Sequence, residues 1–197
     1  MKKFLLIATF AICSFANAQK GSILVGGNIE YTSTNSDSRF GDTKENTFGF
    51  SPRVGYQFND NWTVGGEFSV ASSKVESGSE ENKINAFRLG AFLRYSVPLS
   101  STFSVFADLG AGFQNYKNKT YTTMGNNTIT SSKAKADGMY VGITPALFIN
   151  MKKGFGLNFS IGGLGYQTLS FDNNGPDVNE FYFNFGKTVN IGISKNF

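Results

Sequence analysis

The sequence predicts an all-β protein, an eight-stranded antiparallel up-and-down barrel that spans a membrane, and three observations lead to this fold class. Eight segments alternate apolar and polar residues with the period of two that is typical of β-strands. The connections between these segments are alternately long and short. The apolar face carries no acidic residue, whereas the other face carries charges of both signs. An apolar outside and a polar inside are what a membrane barrel requires.

Residues 1–18 are predicted to be a cleaved signal peptide, which leaves 19–197 as the barrel domain. Two lysines precede an apolar run that is too short to span a bilayer as a helix, and small residues follow at 16–18. Cys13 lies in this segment, so the mature chain is expected to have no disulfide. Lipid modification of Cys13 is the alternative, but Ile12 is not the small residue that normally precedes a modified cysteine.

The composition excludes several classes of function. The 18 basic residues fall to 16 without the two lysines of the signal peptide, against 14 acidic residues, so the mature net charge is +2. This charge is too low to predict nucleic-acid binding. The chain has no histidine, which excludes a Ser–His nucleophile and an imidazole metal site. The abundance of Gly (23) and Phe (21) favours many short strands.

The first four predicted strands each carry apolar residues at every second position. Strand 1 (22–33) has them at odd positions, with Leu24 on the polar face as its exception. Strands 2 (47–58) and 3 (62–71) flank an Asn-Asp-Asn turn and are expected to form a hairpin. Strand 4 (87–97) repeats the odd-position pattern.

The second four strands follow the same rule. Strands 5 (103–114) and 6 (139–150) have apolar residues at odd positions, and a Lys-Lys-Gly turn leads to strand 7 (155–162). Strand 8 (181–197) alternates to the last residue and is expected to close the barrel against 23–31. Each strand has about the 9 to 11 residues that a tilted membrane strand needs, or more.

The long connections are predicted to be four extracellular loops, at 34–46, 72–85, 117–137 and 168–179. The short connections are predicted to be periplasmic turns, which places both termini in the periplasm.

Three local irregularities are expected. Pro52 and Pro145 lie inside strands, where each removes a ladder hydrogen bond, so we predict irregular pairing beside them. Strand 8 is longer than the membrane needs, so that Lys187 should reach the outer interface. The three phenylalanines of 181–185 then either pack on a neighbouring strand that also extends outward, or are lowered by a bulge at Gly186.

Six charged residues on the polar faces are predicted to form a lumen polar network, because an arginine or lysine facing lipid near the midplane would cost roughly 2–4 kcal/mol. They are Glu30, Arg53, Glu67, Arg88, Arg94 and Asp108. Counting around the short turns places Arg53 opposite Glu67 and Asp108 diagonal to Arg94. We interpret the network as a charge-compensated plug, because an eight-stranded barrel is narrow enough to be filled by side chains. A gated ion path is one alternative, and a secreted soluble sandwich is the alternative for the whole fold.

Aromatic residues near the strand ends are predicted to form the two girdles of a membrane protein. They are Tyr31, Phe48, Tyr56, Phe58, Trp62, Tyr95, Phe103 and Phe155. No cofactor and no metal site are expected, since the acidic stretch 172–177 lacks the spacing of a calcium loop and is interpreted as a turn.

With a signal peptide, eight alternating strands and an aromatic C-terminal residue, the whole chain resembles the small outer-membrane β-barrels of the OmpX type and the OmpA transmembrane domain, in the versions found in Bacteroidota. This resemblance implies the outer membrane of a Gram-negative bacterium, with outer-membrane lipids and lipopolysaccharide around the barrel. It also implies the barrel-assembly machinery as a partner during insertion, and a C-terminal assembly signal formed by Val189, Ile191, Ile193 and Phe197.

The family resemblance implies no single activity. The first hypothesis is a non-enzymatic integral outer-membrane protein with a structural or surface-interaction role, exerted through its extracellular loops. A narrow porin-like channel is the second hypothesis, and a lipid-modifying barrel enzyme is the third. The polar loops contain no ligand motif that identifies an extracellular partner.

Overall fold

The described part of the protein forms a closed barrel of eight antiparallel strands. The computed structural model describes residues 21–36, 42–124, 127–152, 155–172 and 175–197, so the predicted signal peptide lies outside it. The strands are β1 (Ile23–Ser36), β2 (Thr43–Gln57), β3 (Trp62–Ser77), β4 (Glu80–Pro98), β5 (Phe103–Met124), β6 (Asn127–Lys152), β7 (Phe155–Phe171) and β8 (Asp177–Asn196). Each pairs with the next, and β8 pairs with β1, which confirms the predicted fold class. Over these residues we find no helix with the length and apolar character of a membrane span.

The two faces of the barrel wall differ as the alternation predicts. Large apolar side chains point outward and are exposed, for example Ile29 (73%) and Phe113 (68%). Leu24, which breaks the apolar pattern of β1, is buried in the interior together with Phe92. Glycines make room for such side chains: a Cβ on Gly65 would lie 2.7 Å from the Phe92 ring. The abundant glycine of this sequence therefore leaves space for large side chains in a narrow lumen.

The barrel has two different ends. The terminal end carries both termini and the short connections β2–β3, β4–β5 and β6–β7. The hairpin end carries the connections β1–β2, β3–β4, β5–β6 and β7–β8.

The prediction of four long loops is wrong, because most of the polar residues at the hairpin end belong to paired strands. Strands β3 and β4 stay in register up to Ser77 and Glu80, and β5 and β6 remain paired up to Met124 and Asn127 with one register shift between Thr120 and Tyr121. A two-residue connection that contains Gly78 (φ 57°) joins β3 to β4. The polar segments are rich in Thr, which favours extended backbone, and pairing satisfies their backbone hydrogen bonds. The strands are accordingly 14 to 26 residues long.

The irregular pairing expected beside the two strand prolines is confirmed. The β2–β3 pairing passes from Phe50–Val70 to Arg53–Glu67 and omits Pro52 and its neighbour. The β6–β7 register shifts between Ile143 and Ala146, on either side of Pro145. Both interruptions follow from the missing amide proton of proline.

Strand β8 contains the bulge at Gly186 that was one of the two expectations for its outer half. The β7–β8 register jumps from Ser160–Asn190 to Gly162–Phe185, and Gly186 has φ 72°. A positive φ at this position favours glycine. The side chain of Lys187, predicted to lie at the outer interface, is outside the described residues.

The closure of the barrel is shorter than predicted. Strand β8 was expected to pair with 23–31, but the β1–β8 register runs only over Leu24–Gly27 and Ile193–Asn196, extended by reciprocal backbone bonds between Ile23 and Phe197. The register of β1 with β2, in contrast, continues to Ser36. We call this short contact the seam.

Candidate functional site: the barrel lumen

Asp108 is the centre of the charged side chains in the lumen. Its carboxylate accepts hydrogen bonds from Arg94 Nε (2.7 Å) and Arg94 Nη2 (2.8 Å), and from Arg53 Nη1 (2.5 Å). Arg94 and Asp108 are each 6% exposed. They lie directly opposite each other on β4 and β5, so the predicted diagonal placement was wrong. A bidentate arginine–carboxylate pair is among the strongest polar contacts in proteins.

Glu67 is the second carboxylate beside the Arg53 guanidinium. The two residues face each other on β2 and β3, with Arg53 Nη2 3.7 Å from Glu67 Oε2. Tyr140, from β6 on the opposite wall, donates its hydroxyl to Glu67 Oε1 at 2.7 Å. A Cβ on Gly110 would come within 2.9 Å of the same carboxylate oxygen, so glycine in that row leaves room for Glu67. Two arginines and two carboxylates together make a neutral cluster.

Aromatic rings enclose the arginine side of this cluster. The Arg94 guanidinium lies 3.6 Å from the Phe106 ring centroid and 5.9 Å from that of Phe92, and Arg53 lies 5.4 Å from Phe92. Phe92 is 2% exposed and Phe106 7%. Cation–π contact and exclusion of water both strengthen the ion pairs.

Two of the six predicted network residues lie outside the cluster. Glu30 is exposed and makes no ion pair with any described residue. Arg88 donates to Gln167 Oε1 at 2.9 Å, and Gln167 in turn donates to Glu180 at 2.6 Å. Arg88 also stacks on Tyr140, at 5.3 Å from the ring centroid. The cluster proper is therefore Arg53, Glu67, Arg94 and Asp108, which we call the lumen cluster.

Sequence reasoning missed the aromatic members of the lumen. Phe92, Phe106 and Tyr140 lie on the polar faces of their strands, where an aromatic residue breaks the alternation. That break is the signal that could have identified them. Leu24 shows the same signal on β1.

A small cavity lies on the hairpin side of the lumen cluster. It has a volume of about 190 Å³ and is lined by polar groups of Asn28, Ser51, Ser69, Arg88 and Tyr140, among others. Among the residues that the structure describes, no three His, Cys, Asp or Glu side chains group together as metal ligands. The geometry is that of a neutral, hydrogen-bonded plug beneath a polar cavity.

The predicted aromatic residues lie toward both ends of the outer wall. Trp62 and Tyr95, at the terminal end, stack with centroids 4.7 Å apart, and Tyr31 pairs with Phe48 toward the hairpin end. Phe58, Phe103 and Phe155 are exposed at the terminal end, while Tyr56 is half-buried.

Three side chains of the predicted C-terminal signal, Ile191, Ile193 and Phe197, are exposed on the outer wall. Lys195 covers the Phe197 ring at 4.3 Å. The side chain of Val189, the fourth member, is outside the described residues.

A closed eight-stranded barrel with apolar side chains outside and ion pairs inside defines an integral β-barrel of the bacterial outer membrane. The chain belongs to the family described as outer membrane protein beta-barrel domain, whose model matches residues 4–188. The comparison with curated proteins found no match.

Solved structures with a similar fold include outer-membrane proteins. OprG from Pseudomonas aeruginosa is 15% identical with a TM-score of 0.51, over 90% of this chain and 96% of that chain. The translocator domain of autotransporter NalP from Neisseria meningitidis is 14% identical with a TM-score of 0.49, over 91% of this chain and only 65% of the NalP domain. Ail, the attachment invasion locus protein of Yersinia pestis, is 15% identical with a TM-score of 0.43, over 91% of this chain and 100% of that chain. At these identities the similarity is one of fold.

Proposed function

We propose that this protein is a non-enzymatic outer-membrane barrel with a structural or surface-contact role, and that the hairpin end faces the outside of the cell. Both termini then lie in the periplasm. The alternation of short connections at one end and long polar hairpins at the other supports this orientation. Its proposed surroundings are outer-membrane lipids and lipopolysaccharide, and the barrel-assembly machinery acts on it during insertion.

The observation that carries the surface role is the length of the paired strands at the hairpin end. Strands β5 and β6 remain paired from the outward pair Phe113–Met139 to Met124–Asn127, with one register shift between Thr120 and Tyr121. Eleven further residues of strand correspond to roughly 35 Å along the strand. A paired ribbon of this length is stiffer than a loop, and its polar faces are suited to contact with a hydrated surface.

The lumen cluster supports a role that does not depend on transport. Arg94 and Asp108 are buried, and Phe92 fills the space beside them. An eight-stranded barrel has little room beyond its own side chains. We expect the wild-type protein to be non-conducting in planar bilayers, and discrete large conductance steps would refute the plugged lumen and favour the channel alternative.

Orientation is tested by cysteine labelling in intact cells. Ser79→Cys places a thiol in the β3–β4 connection at the hairpin end, and Asn59→Cys places one in the β2–β3 turn at the terminal end. A membrane-impermeant maleimide should label Ser79→Cys in intact cells and Asn59→Cys only after lysis. The reverse pattern would contradict the proposed orientation.

The lipid-modifying alternative makes a separate prediction. It requires a change in the mass of lipid A when the gene is deleted. We expect the lipid A mass spectra of the wild-type and deletion strains to be identical.

A further inference from the structure

Four lysines form a square on the outer wall of the β5–β6 ribbon. Lys117 pairs directly with Lys135, and Lys119 pairs directly with Lys133. They share the outward face with Phe113 and Met139, and all four are exposed. Directly opposed residues on neighbouring strands have Cβ atoms about 5 Å apart. We call these residues the lysine square.

Within the described residues, no carboxylate lies within ion-pair distance of the lysine square. Like charges that face each other directly across two strands are destabilising. The square contains two such pairs, one above the other, so the free protein has a concentration of positive charge that an anion would relieve.

The neighbouring lysines on β3 and β4 are arranged differently. Lys74 and Lys83 also face each other, but Glu81 lies between them, with its oxygens 2.8 Å from Lys74 Nζ and 2.7 Å from Lys83 Nζ. Glu76 lies 2.5 Å from Lys74 Nζ, and the hydrogen bond to Glu76 raises the pKa of Lys74 above its usual value. The chain therefore supplies carboxylates to Lys74 and Lys83, whereas no described carboxylate forms an ion pair with the square. Lys119 directly faces Lys83 on β4, and Asp137, next to Lys135 on the same face, accepts a hydrogen bond from Asn115 at 2.6 Å.

An apolar groove lies on the same outer wall, on the terminal side of the square. It has a volume of about 440 Å³ and is lined mainly by Phe113, Met139, Val141 and Tyr166, with the small Ala111 among its lining residues. Phe113 precedes Lys117 by four residues, which corresponds to roughly 10 Å along the barrel axis because the strand is tilted. Lysine side chains can bend toward the groove over this distance, since they keep an apolar stem along the wall and a charged end in water.

We propose that the lysine square and the groove bind one phosphorylated lipid of the leaflet that surrounds the hairpin end. An acyl chain lies in the groove over Ala111, and the headgroup phosphate lies between Lys117 and Lys135. The charge of the square is complementary to a phosphate, and the apolar groove selects a lipid over a soluble anion. This proposal rests on the proposed function only for the identity of the leaflet, because the site itself does not depend on which way the barrel faces.

The test is a binding measurement on the purified, detergent-solubilised protein with three probes. Diphosphoryl lipid A carries both phosphate and acyl chains, phosphatidylcholine carries acyl chains without net charge, and inositol hexaphosphate carries phosphates without acyl chains. The variant is Lys117→Gln/Lys135→Gln. The matched control is Lys44→Gln/Lys74→Gln, which removes the same charge from outward positions of β2 and β3, two strands that do not pair with β5 or β6. Folding of both variants is checked by the shift in gel mobility on heating.

We expect Lys117→Gln/Lys135→Gln to weaken the binding of lipid A by roughly tenfold to thirtyfold, because each basic residue near an anionic lipid surface contributes to the binding free energy and two of them are removed. The control should bind lipid A like the wild type, and Lys117→Arg/Lys135→Arg should retain binding. Ala111→Leu should weaken lipid A binding by filling the groove, without changing any charge.

Three results would overturn the proposal. Equal losses in the variant and its control would show a diffuse charge effect, and inositol hexaphosphate bound as tightly as lipid A would show a site for soluble anions. Phosphatidylcholine bound as tightly as lipid A would show that the lysines do not select the ligand. The cysteine labelling in cells is independent of all three, so a failed orientation and a failed lipid site can be distinguished.

Discussion

Asp108 is the residue on which the lumen cluster depends, because two arginines share its carboxylate. Replacing it by Asn would leave Arg94 buried and Arg53 half-buried without their main counter-charge. Removing one partner of a buried ion pair typically costs about 3–5 kcal/mol. We expect Asp108→Asn to lower the free energy of unfolding by this amount, which would appear as a lower urea midpoint of unfolding in detergent.

Glu30→Gln is the control for this prediction. Glu30 is one of the six charges assigned to the lumen from sequence, yet it is exposed and forms no ion pair with a described residue. Its replacement should leave the urea midpoint unchanged. Equal effects of the two substitutions would show that the lumen cluster does not stabilise the barrel.

Phe92 gives a second prediction at the residue scale. It is 2% exposed and packs against a wall of glycines, which cannot move inward to fill a gap. Phe92→Ala should cost about 3–5 kcal/mol of unfolding free energy. A change below about 1 kcal/mol, measured by the same urea titration, would mean that the wall collapses onto the cavity.

The sequence indicated which charged side chains face the lumen, but it did not indicate which of them form ion pairs with each other. Counting around a tight turn relates only neighbouring strands, and it placed Arg53 opposite Glu67. The contact of Arg53 with Asp108 joins β2 to β5 across the lumen. Such contacts depend on the stagger and tilt of the closed barrel, which no local pattern encodes.

At the scale of the strands, the seam is the part of the barrel with least pairing. Its residues are closely packed: a Cβ on Gly26 would lie 2.7 Å from the Ile193 carbonyl oxygen and 2.7 Å from Ser194 Cβ. We expect Gly26→Ala to destabilise the barrel by about 1–3 kcal/mol, the usual cost of overpacking. The temperature at which the compact gel band disappears would report this loss.

Gly66→Ala is a suitable comparison for the seam variant. The nearest atom to a Cβ on Gly66 is the Gly90 carbonyl oxygen at 3.8 Å, so the methyl group fits without strain. This variant should keep the transition temperature of the wild type. If Gly26→Ala did the same, the seam would be looser than the structure indicates.

The β3–β4 ribbon is expected to respond to pH through Glu81. Hydrogen bonds from Lys74 and then Lys83 lower the pKa of this carboxyl. A carboxyl whose pKa is lower in the folded state stabilises that state above its unfolded pKa, and the stabilisation is lost as the pH falls through the folded pKa. Hydrogen-exchange protection of the ribbon amides should therefore decrease as the pH falls from about 6 to about 3.

Glu81→Gln tests whether this carboxyl is responsible. The variant should lose protection at pH 6 and show a flatter pH dependence, whereas Glu80→Gln should behave like the wild type. The same pH dependence in Glu81→Gln and in the wild type would assign the effect to another group.

Strand length was predicted poorly for a physical reason. Inside the membrane band, one face is apolar and the other polar, so the period of two is visible in the sequence. At the hairpin end both faces contact water, and polar residues at every position of 117–120 hide the strand. The bulge at Gly186 was foreseeable as an option because Gly tolerates a positive φ, but its register shift required the structure.

At the scale of the whole molecule, we expect the part of the barrel with an apolar outer wall to fold without the polar strand extensions at the hairpin end. Replacing residues 118–134 by Asn-Gly joins the directly paired Lys117 and Lys135 through the turn that two-residue hairpins favour. The shortened protein loses no residue of the apolar band. We expect it to insert and to keep the gel-mobility shift on heating, and failure to fold would show that the ribbon helps to build the barrel.

The fold class was predictable from sequence because a closed sheet in lipid leaves few options. Backbone groups must all be paired, which excludes open edges, and eight alternating segments then specify a barrel. The four residues of the lumen cluster were among those predicted from sequence. Of their contacts, the pairing of Arg53 with Glu67 was predicted, whereas the contact of Arg53 with Asp108 was not. The lysine square emerged only from the register of two strands that had been assigned to a loop.

The seam also bears on the order in which the strand pairings of the barrel form. Every other pairing joins strands adjacent in the chain, whereas the seam joins Leu24 to Asn196 near the two ends. Hairpins form quickly because their loops are short, while contacts between distant residues are slow. We therefore expect the meeting of β1 and β8 to limit the rate of barrel completion, and until it occurs both strands expose a full edge. The unfinished barrel is thus the species that most needs protection from aggregation.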